Sequence, residues 1–178
     1  PGVYNGYKAY GADGCQMTSE AAGAVLAKIK ETDLFDGVKK MPFDEGVEQG
    51  LISIIGPDLL DAYLNKVQEQ AVNPGIAEDA KLKVVYTPLN GTGNKPVREI
   101  LRRTGVNNVF VVPEQEYPDG DFPTAPFPNP EIRQAFECAI KLAQSVEPDL
   151  LLATDPDADR VGIAVRQGSD YVLMSGNE

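Results

Sequence analysis

The apolar positions change rhythm along the chain. Ala22, Val25, Leu26 and Ile29 recur at helical spacing behind Thr18 and Ser19, either of which can cap a helix, so the pattern predicts a helix over about 19–31. Ahead of it, residues 3–10 carry three tyrosines and read as a strand centred on Tyr7-Lys8-Ala9-Tyr10, closed by the turn Gly11-Ala12-Asp13-Gly14. Residues 32–49 are polar and irregular, with Asp36-Gly37 and Pro42 as breakers, and Leu51-Ile52-Ser53-Ile54-Ile55 reads as a short strand. Gly56-Pro57 marks a boundary, because Pro suits the first turn of a helix. Leu59, Leu60, Tyr63, Leu64 and Val67 then form one apolar stripe, a helix over about 58–70 ended by Asn73-Pro74-Gly75.

From there strand and helix alternate. Lys81–Thr87 is an apolar strand, Asn90-Gly91-Thr92-Gly93 a turn, and Val97, Ile100 and Leu101 mark a helix over about 95–104 that Gly105 closes. Residues 108–112 form the next strand, and 113–130, with six prolines and no periodicity, form a long ordered loop or flap. Ile132, Ala135, Phe136, Ala139, Ile140 and Ala143 predict an amphipathic helix over about 130–145, followed by strands at 149–154, 161–166 and 171–174. Strands separated by helices of this length imply an α/β fold: a mixed, largely parallel sheet flanked by helices on both faces, with the last strands as antiparallel edges. A partial α/β unit precedes it.

Composition narrows the class. The chain has 178 residues, is 42% hydrophobic and 24% charged, and carries a formal net charge of -11. That balance describes a globular protein and argues against non-specific binding to nucleic acid or to an anionic membrane. No apolar run reaches the roughly 18 residues of a membrane span. Cys15 and Cys138 are the only cysteines, too few and too far apart for a disulfide framework or a zinc motif, and they read as reduced thiols of a cytoplasmic protein. The chain opens on Pro1-Gly2-Val3 and stops at Gly176-Asn177-Glu178, which reads as a fragment of a longer protein.

The strongest chemical signal is Asp155-Pro156-Asp157-Ala158-Asp159-Arg160, set between two apolar strands. Three carboxylates at alternate positions of a tight loop can converge on one point, where they repel unless a cation neutralises them. Hard divalent cations take oxygen ligands of this kind, so the loop reads as a Mg²⁺ site in which Arg160 meets an anion such as a phosphate. An EF-hand is excluded, since Arg160 stands where that loop needs Gly and Arg166 where it needs Glu. An aspartyl-phosphate phosphatase would also place Asp-x-Asp after an apolar strand, but Asp159 stands where such enzymes carry Thr or Val. A solvated acidic turn and a non-catalytic metal-binding module remain as plain alternatives.

Two further features are less specific. The turn Gly91-Thr92-Gly93-Asn94-Lys95 is neither a dinucleotide fingerprint nor a P-loop; a helix start behind glycines can bind an anion, and a structural strand-to-helix joint fits equally well. Lys8 is a lone cation in an aromatic stretch, either an ordinary surface residue or, near a metal, a proton carrier. With no histidine in the chain, no His-based catalysis is available within it.

Taken together these segments resemble the α-D-phosphohexomutase family of phosphoglucomutases and phosphomannomutases. Tyr4-Asn5-Gly6-Tyr7-Lys8 is similar to the N-G-x-K segment that follows the family's phosphoserine loop T-A-S-H-N-P. Thr87-Pro88-Leu89-Asn90-Gly91-Thr92-Gly93 is similar to T-P-L-H-G-T-G, with Asn90 in the His place, and Asp155–Arg160 to the metal loop D-x-D-x-D-R. Ser175-Gly176-Asn177-Glu178 resembles the T-G-N-E that leads into the third domain, and Asp121-Phe122-Pro123-Thr124 with Pro128-Asn129-Pro130-Glu131 leans toward phosphoglucomutases.

The resemblance implies the C-terminal part of domain 1 at 1–55, domain 2 with the metal loop at 56–170 and the start of domain 3 at 171–178. It implies Mg²⁺ on Asp155, Asp157 and Asp159, Arg160 on the phosphoryl group and Lys8 as acid or base toward the sugar hydroxyl. A phosphoserine just before Pro1 would exchange phosphate with the substrate through glucose 1,6-bisphosphate, interconverting glucose 1-phosphate and glucose 6-phosphate. Mannose and pentose phosphates are the alternatives within the family. The partners implied are a phosphosugar and the remaining domains of the same chain, with no nucleic acid and no membrane, and these 178 residues alone are expected to be inactive.

Overall fold

The computed structural model describes residues 8–178, which form two units, 8–55 and 56–178. In the first, α1 spans Ser19–Glu31, and the Thr18 hydroxyl caps it by accepting the Ala21 N–H at 3.4 Å. The stretch expected to be wholly irregular holds a short helix, α2 (Phe43–Glu48), which Pro42 precedes. Of the strand expected over 3–10, residues 3–7 lie outside the described part, and the remainder forms only an isolated bridge between Tyr10 and Gln16. The strand expected at 51–55 does not form either: Ile54 and Ile55 are 73% and 71% exposed. An apolar run signals a preference for burial, but a strand exists only where another strand completes its hydrogen bonds, and the described residues of this unit offer none.

The second unit carries one five-stranded sheet. Its strands are β1 (Lys83–Thr87), β2 (Asn108–Val111), β3 (Leu150–Thr154), β4 (Val161–Gln167) and β5 (Asp170–Met174), in the order β2-β1-β3-β4-β5. β1 runs parallel to β2 and β3, and β4 and β5 follow antiparallel, so the sheet is mixed as expected, parallel across β2, β1 and β3. β5 completes the edge of this same sheet, with Val165 opposite Val172.

The helices follow the sequence pattern with small shifts. α3 (Pro57–Gln68) starts with Pro57 in its first turn, α4 (Ile76–Ala80) is an extra turn that periodicity alone does not reveal, and α5 spans Asn94–Arg103. The expected helix 130–145 begins later, as a 3-10 turn at Arg133–Phe136 leading into α6 (Glu137–Val146). The delay has a local cause: the Asn129 side chain accepts the Glu131 N–H at 2.9 Å, closing a turn around Pro130 before helix can start.

Chain direction explains the layers. The crossover β1–α5–β2 runs outward and β2–α6–β3 runs back across β1, and right-handed crossovers in opposite directions put their helices on opposite faces. On one face Val85, Leu151, Ala153 and Ala164 meet Phe136, Ala139 and Ala143 of the α6 segment. Burying Phe136 and Leu151 contributes about 2 kcal/mol each. On the other face Val84 and Tyr86 are fully covered, while α3 and α5 pack on each other and Arg103 reaches Asp61 and Asn65. Glu99 lies between the guanidinium groups of Arg102 and Arg103, whose hydrogen bonds hold its carboxyl down at about 2. Cover on both faces is complete over β1 and thins toward the antiparallel edge, where Val165 and Val172 are 39% and 47% exposed. Among the described residues no helix is long and apolar enough to cross a membrane.

Candidate metal centre

β1 and β3 are parallel neighbours with Thr87 opposite Ala153, so they finish side by side and the turns that leave them meet. This is the sheet edge where open α/β folds collect ligands. After β3 the chain folds back at once into β4, with Thr154 opposite Val161, and the six residues Asp155–Arg160 form the connecting loop. The loop is pinned from within. The Ala158 N–H donates to the Asp155 carbonyl at 3.0 Å, Ala158 takes a left-handed φ of 59°, and the Arg160 N–H donates to Asp155 Oδ1 at 3.1 Å.

That fold brings the three aspartates together. One carboxylate oxygen from each of Asp155, Asp157 and Asp159 lies within 4.8 Å of the others. Asp155 is buried; Asp157 and Asp159 face solvent. Burial pushes the Asp155 carboxyl up, the Arg160 N–H counters it, and the charges of Asp157 and Asp159 push it up further. A cation among the three oxygens would offset both the burial and the repulsion, and an all-carboxylate donor set suits Mg²⁺ or Ca²⁺ rather than a softer metal. The Arg160 Nε stands 3.9 Å from Asp155 Oδ2 with its side chain 54% exposed, a loose pairing that leaves the guanidinium able to meet an anion.

The glycine turn packs directly onto the acidic loop. The Thr92 N–H and hydroxyl both donate to the Pro156 carbonyl, at 2.9 and 3.1 Å, which ties the turn onto the acidic loop. A Cβ on Gly91 would sit 2.4 Å from the Pro156 Cα, and one on Gly93 would meet Thr154 Oγ1 at 2.6 Å and the Tyr86 hydroxyl at 2.7 Å. The two glycines are therefore required by close approach between the loops. Beneath them the Tyr86 hydroxyl and Thr154 Oγ1 are 2.8 Å apart, and burial raises the Tyr86 phenol to about 12, so it stays protonated at neutral pH.

Asn90 fastens the long loop to this centre. Its backbone N–H donates to the Gln115 carbonyl, its carbonyl accepts the Asp119 N–H, and its side-chain amide donates to the carbonyls of Tyr117 at 2.8 Å and Glu114 at 3.4 Å. Asn90 Oδ1 is buried without a hydrogen-bond partner. Asn90 holds a left-handed φ of 57°, which Asn tolerates better than most residues. Nearby, the fully buried Gln115 accepts from Thr87 at 2.6 Å and donates to Thr124 at 3.0 Å, so the proline-rich stretch is an ordered strap. Asn90→Ala removes two part-buried hydrogen bonds to the strap and places alanine at a left-handed φ, and is expected to cost about 1 kcal/mol, read as a lower urea midpoint. A change within about 0.5 kcal/mol would show that the clamp contributes nothing.

The structure thus brings together Asp155, Asp157, Asp159 and Arg160 from the residues singled out in the sequence. Lys8 belongs to the unit 8–55, where it is exposed beside a cleft of about 320 Å³ lined by Met17, Val25 and Leu26 among others. Residues not anticipated are Tyr86, Thr92, Thr154 and Gln115. A signal was present for two of them: Tyr86 and Thr154 carry hydroxyls near the ends of buried, otherwise apolar strands.

Comparison with known proteins accords with this geometry. Residues 61–168 match the family model for phosphoglucomutase/phosphomannomutase, alpha/beta/alpha domain II. Over its full length the chain is 35% identical to a phosphoglucomutase of Staphylococcus saprophyticus, of which it covers 32%. It is 36% identical to a phosphoribomutase of Saccharomyces cerevisiae, of which it covers 30%. It therefore spans about a third of the length of these relatives. A solved structure of a putative phosphomannomutase from Thermus thermophilus shares the fold, with a TM-score of 0.56 at 21% identity, over 89% of this chain and 32% of that one. The paired loops at the ends of β1 and β3, together with the family match over 61–168, show that the chain belongs to the phosphoglucomutase/phosphomannomutase family.

Proposed function

We propose that the whole protein is a Mg²⁺-dependent phosphosugar mutase that interconverts glucose 1-phosphate and glucose 6-phosphate. The observation that carries this reading is the convergence of Asp155, Asp157 and Asp159 at the end of β3. These three residues would hold the metal. When bound, Mg²⁺ supplies positive charge against phosphoryl oxygens, where charge builds up during transfer. Asp155, fixed by the Arg160 N–H, orients the ligand set. The Arg160 guanidinium donates hydrogen bonds to the phosphoryl group in flight. Lys8 Nζ would take the proton from the attacking sugar hydroxyl as the new sugar O–P bond forms and the serine O–P bond breaks, and would return it to the sugar oxygen freed when phosphate passes back to the serine.

The phosphoryl group would rest on a serine ahead of Pro1, and glucose 1,6-bisphosphate would be the intermediate that turns round between the two half-reactions. The remaining domains of the same chain would supply sugar recognition, and a location in the cytoplasm suits the free thiols of Cys15 and Cys138. The phosphoribomutase relative favours a second reading, in which the sugar is a pentose phosphate.

The whole protein, primed with the 1,6-bisphosphate and Mg²⁺, is expected to convert glucose 1-phosphate faster than ribose 1-phosphate, to lose activity with EDTA and to release little free phosphate. Residues 1–178 alone are expected to be inactive. Faster turnover of the pentose would establish the second reading, while phosphate release without isomerisation would exclude both.

A further inference from the structure

We infer that Tyr86 is a positioning residue for the carboxylate cluster, acting through the hydroxyl of Thr154. The inference rests on the metal reading of Asp155, Asp157 and Asp159. Tyr86 is fully buried near the end of β1, and its hydroxyl lies 2.8 Å from Thr154 Oγ1 at the end of β3. Thr154 is the last residue before Asp155, and it also faces Val161, where the loop closes into β4. The Gly93 position lies close to Thr154 Oγ1, the Tyr86 hydroxyl and the Ala158 Cβ together, so this joint sits directly under the turn that carries the aspartates.

Packing alone does not call for the phenol. Phe would fill nearly the same volume without placing a hydroxyl in the interior, and a buried hydroxyl is costly unless it is bonded. What the hydroxyl adds is direction. A threonine side chain has few favourable orientations, and one hydrogen bond selects among them. That choice fixes how the chain leaves β3 and where the Asp155 carboxylate points. The neighbouring contacts reinforce it: Thr92 holds the other side of the loop through Pro156, and Gly93 leaves the space that the paired hydroxyls occupy.

The test is Mn²⁺ titration of the whole protein, by calorimetry or by the spin resonance signal of the free ion. Tyr86→Phe is expected to weaken Mn²⁺ binding about fivefold, the loss of one buried hydrogen bond behind a ligand. Thr154→Val should weaken it to a similar extent, Thr154→Ser should bind like the wild type, and Tyr86→Phe with Thr154→Val should be no worse than either alone. Thermal unfolding run alongside separates this from general loosening, because Thr154→Ser removes packing but keeps the hydroxyl. Unchanged affinity in Tyr86→Phe, or losses that add in the double variant, would overturn the inference. Asp155→Asn serves as the reference. If it abolishes binding while Tyr86→Phe does not weaken it, only the role of Tyr86 falls; if wild type and Asp155→Asn bind alike, the metal reading falls and the inference with it.

Discussion

Replacing Asp155 by Asn is expected to lower the isomerase activity of the whole protein about a thousandfold while leaving the metal-free fold as stable as before or more so. The two effects separate because the substitution keeps shape and removes charge. Asn Oδ1 can still accept the Arg160 N–H that closes the loop, so the turn is retained. Without a metal, Asp155 is a partly desolvated carboxylate beside Asp157 and Asp159, and removing its charge relieves repulsion. In the proposed metal-bound state that same charge would be a ligand. The decisive measurements are kcat at saturating bisphosphate and Mg²⁺ and the urea midpoint of the metal-free chain. An activity within tenfold of wild type would remove Asp155 from the metal site, and a large loss of stability would mean that its role is structural. Asp157→Asn and Asp159→Asn should follow the same direction with smaller losses, since both face solvent.

Gly91→Ala should be among the most damaging single substitutions in the second unit, destabilising it by about 3 kcal/mol. Its added methyl would lie 2.4 Å from the Pro156 Cα, 2.6 Å from its carbonyl oxygen and 2.8 Å from its carbonyl carbon. All three are backbone atoms, so no rotamer change can give way; the acidic loop itself must move. Gly91 has no positive φ, so backbone conformation is not the obstacle and the cost comes from the contact. Mg²⁺ or Mn²⁺ affinity should fall at least tenfold, in step with the displaced loop. Gly120→Ala is the control, because a methyl there meets nothing within 4 Å and should alter neither quantity. Equal behaviour of the two variants, in melting temperature and in metal titration, would mean that the glycine turn does not press on the acidic loop.

Much of the second unit was legible from periodicity. The runs at 83–87 and 150–154 are largely apolar because their strands are central and parallel, 108–111 is the parallel edge strand beside them, and the stripes on α3 and α6 repeat at helical spacing. The acidic loop was legible because three alternating aspartates after an apolar strand have few inexpensive explanations. The first unit was read less well. Leu51–Ile55 has the composition of a strand but finds no ladder, and Lys8 and Tyr10 lie beside a single bridge rather than in a sheet. The late start of α6 was hidden because Pro130 and Asn129 act through local hydrogen bonds that a hydrophobic pattern does not register.

By itself the sequence determined the alternation of strand and helix, the carboxylate set and the family, since each of these is written in residue type and near-neighbour spacing. Only the tertiary structure decided which turns meet. Thr87 and Ala153, 66 positions apart in the chain, stand opposite each other, and that register brings Thr92 onto Pro156 and Tyr86 onto Thr154. It also assigned tasks that local pattern left open: the glycines permit close approach and Asn90 clamps the strap. The physical reason is that periodicity reports which side of an element prefers burial, whereas contact between distant segments depends on strand order and register, which no local window contains.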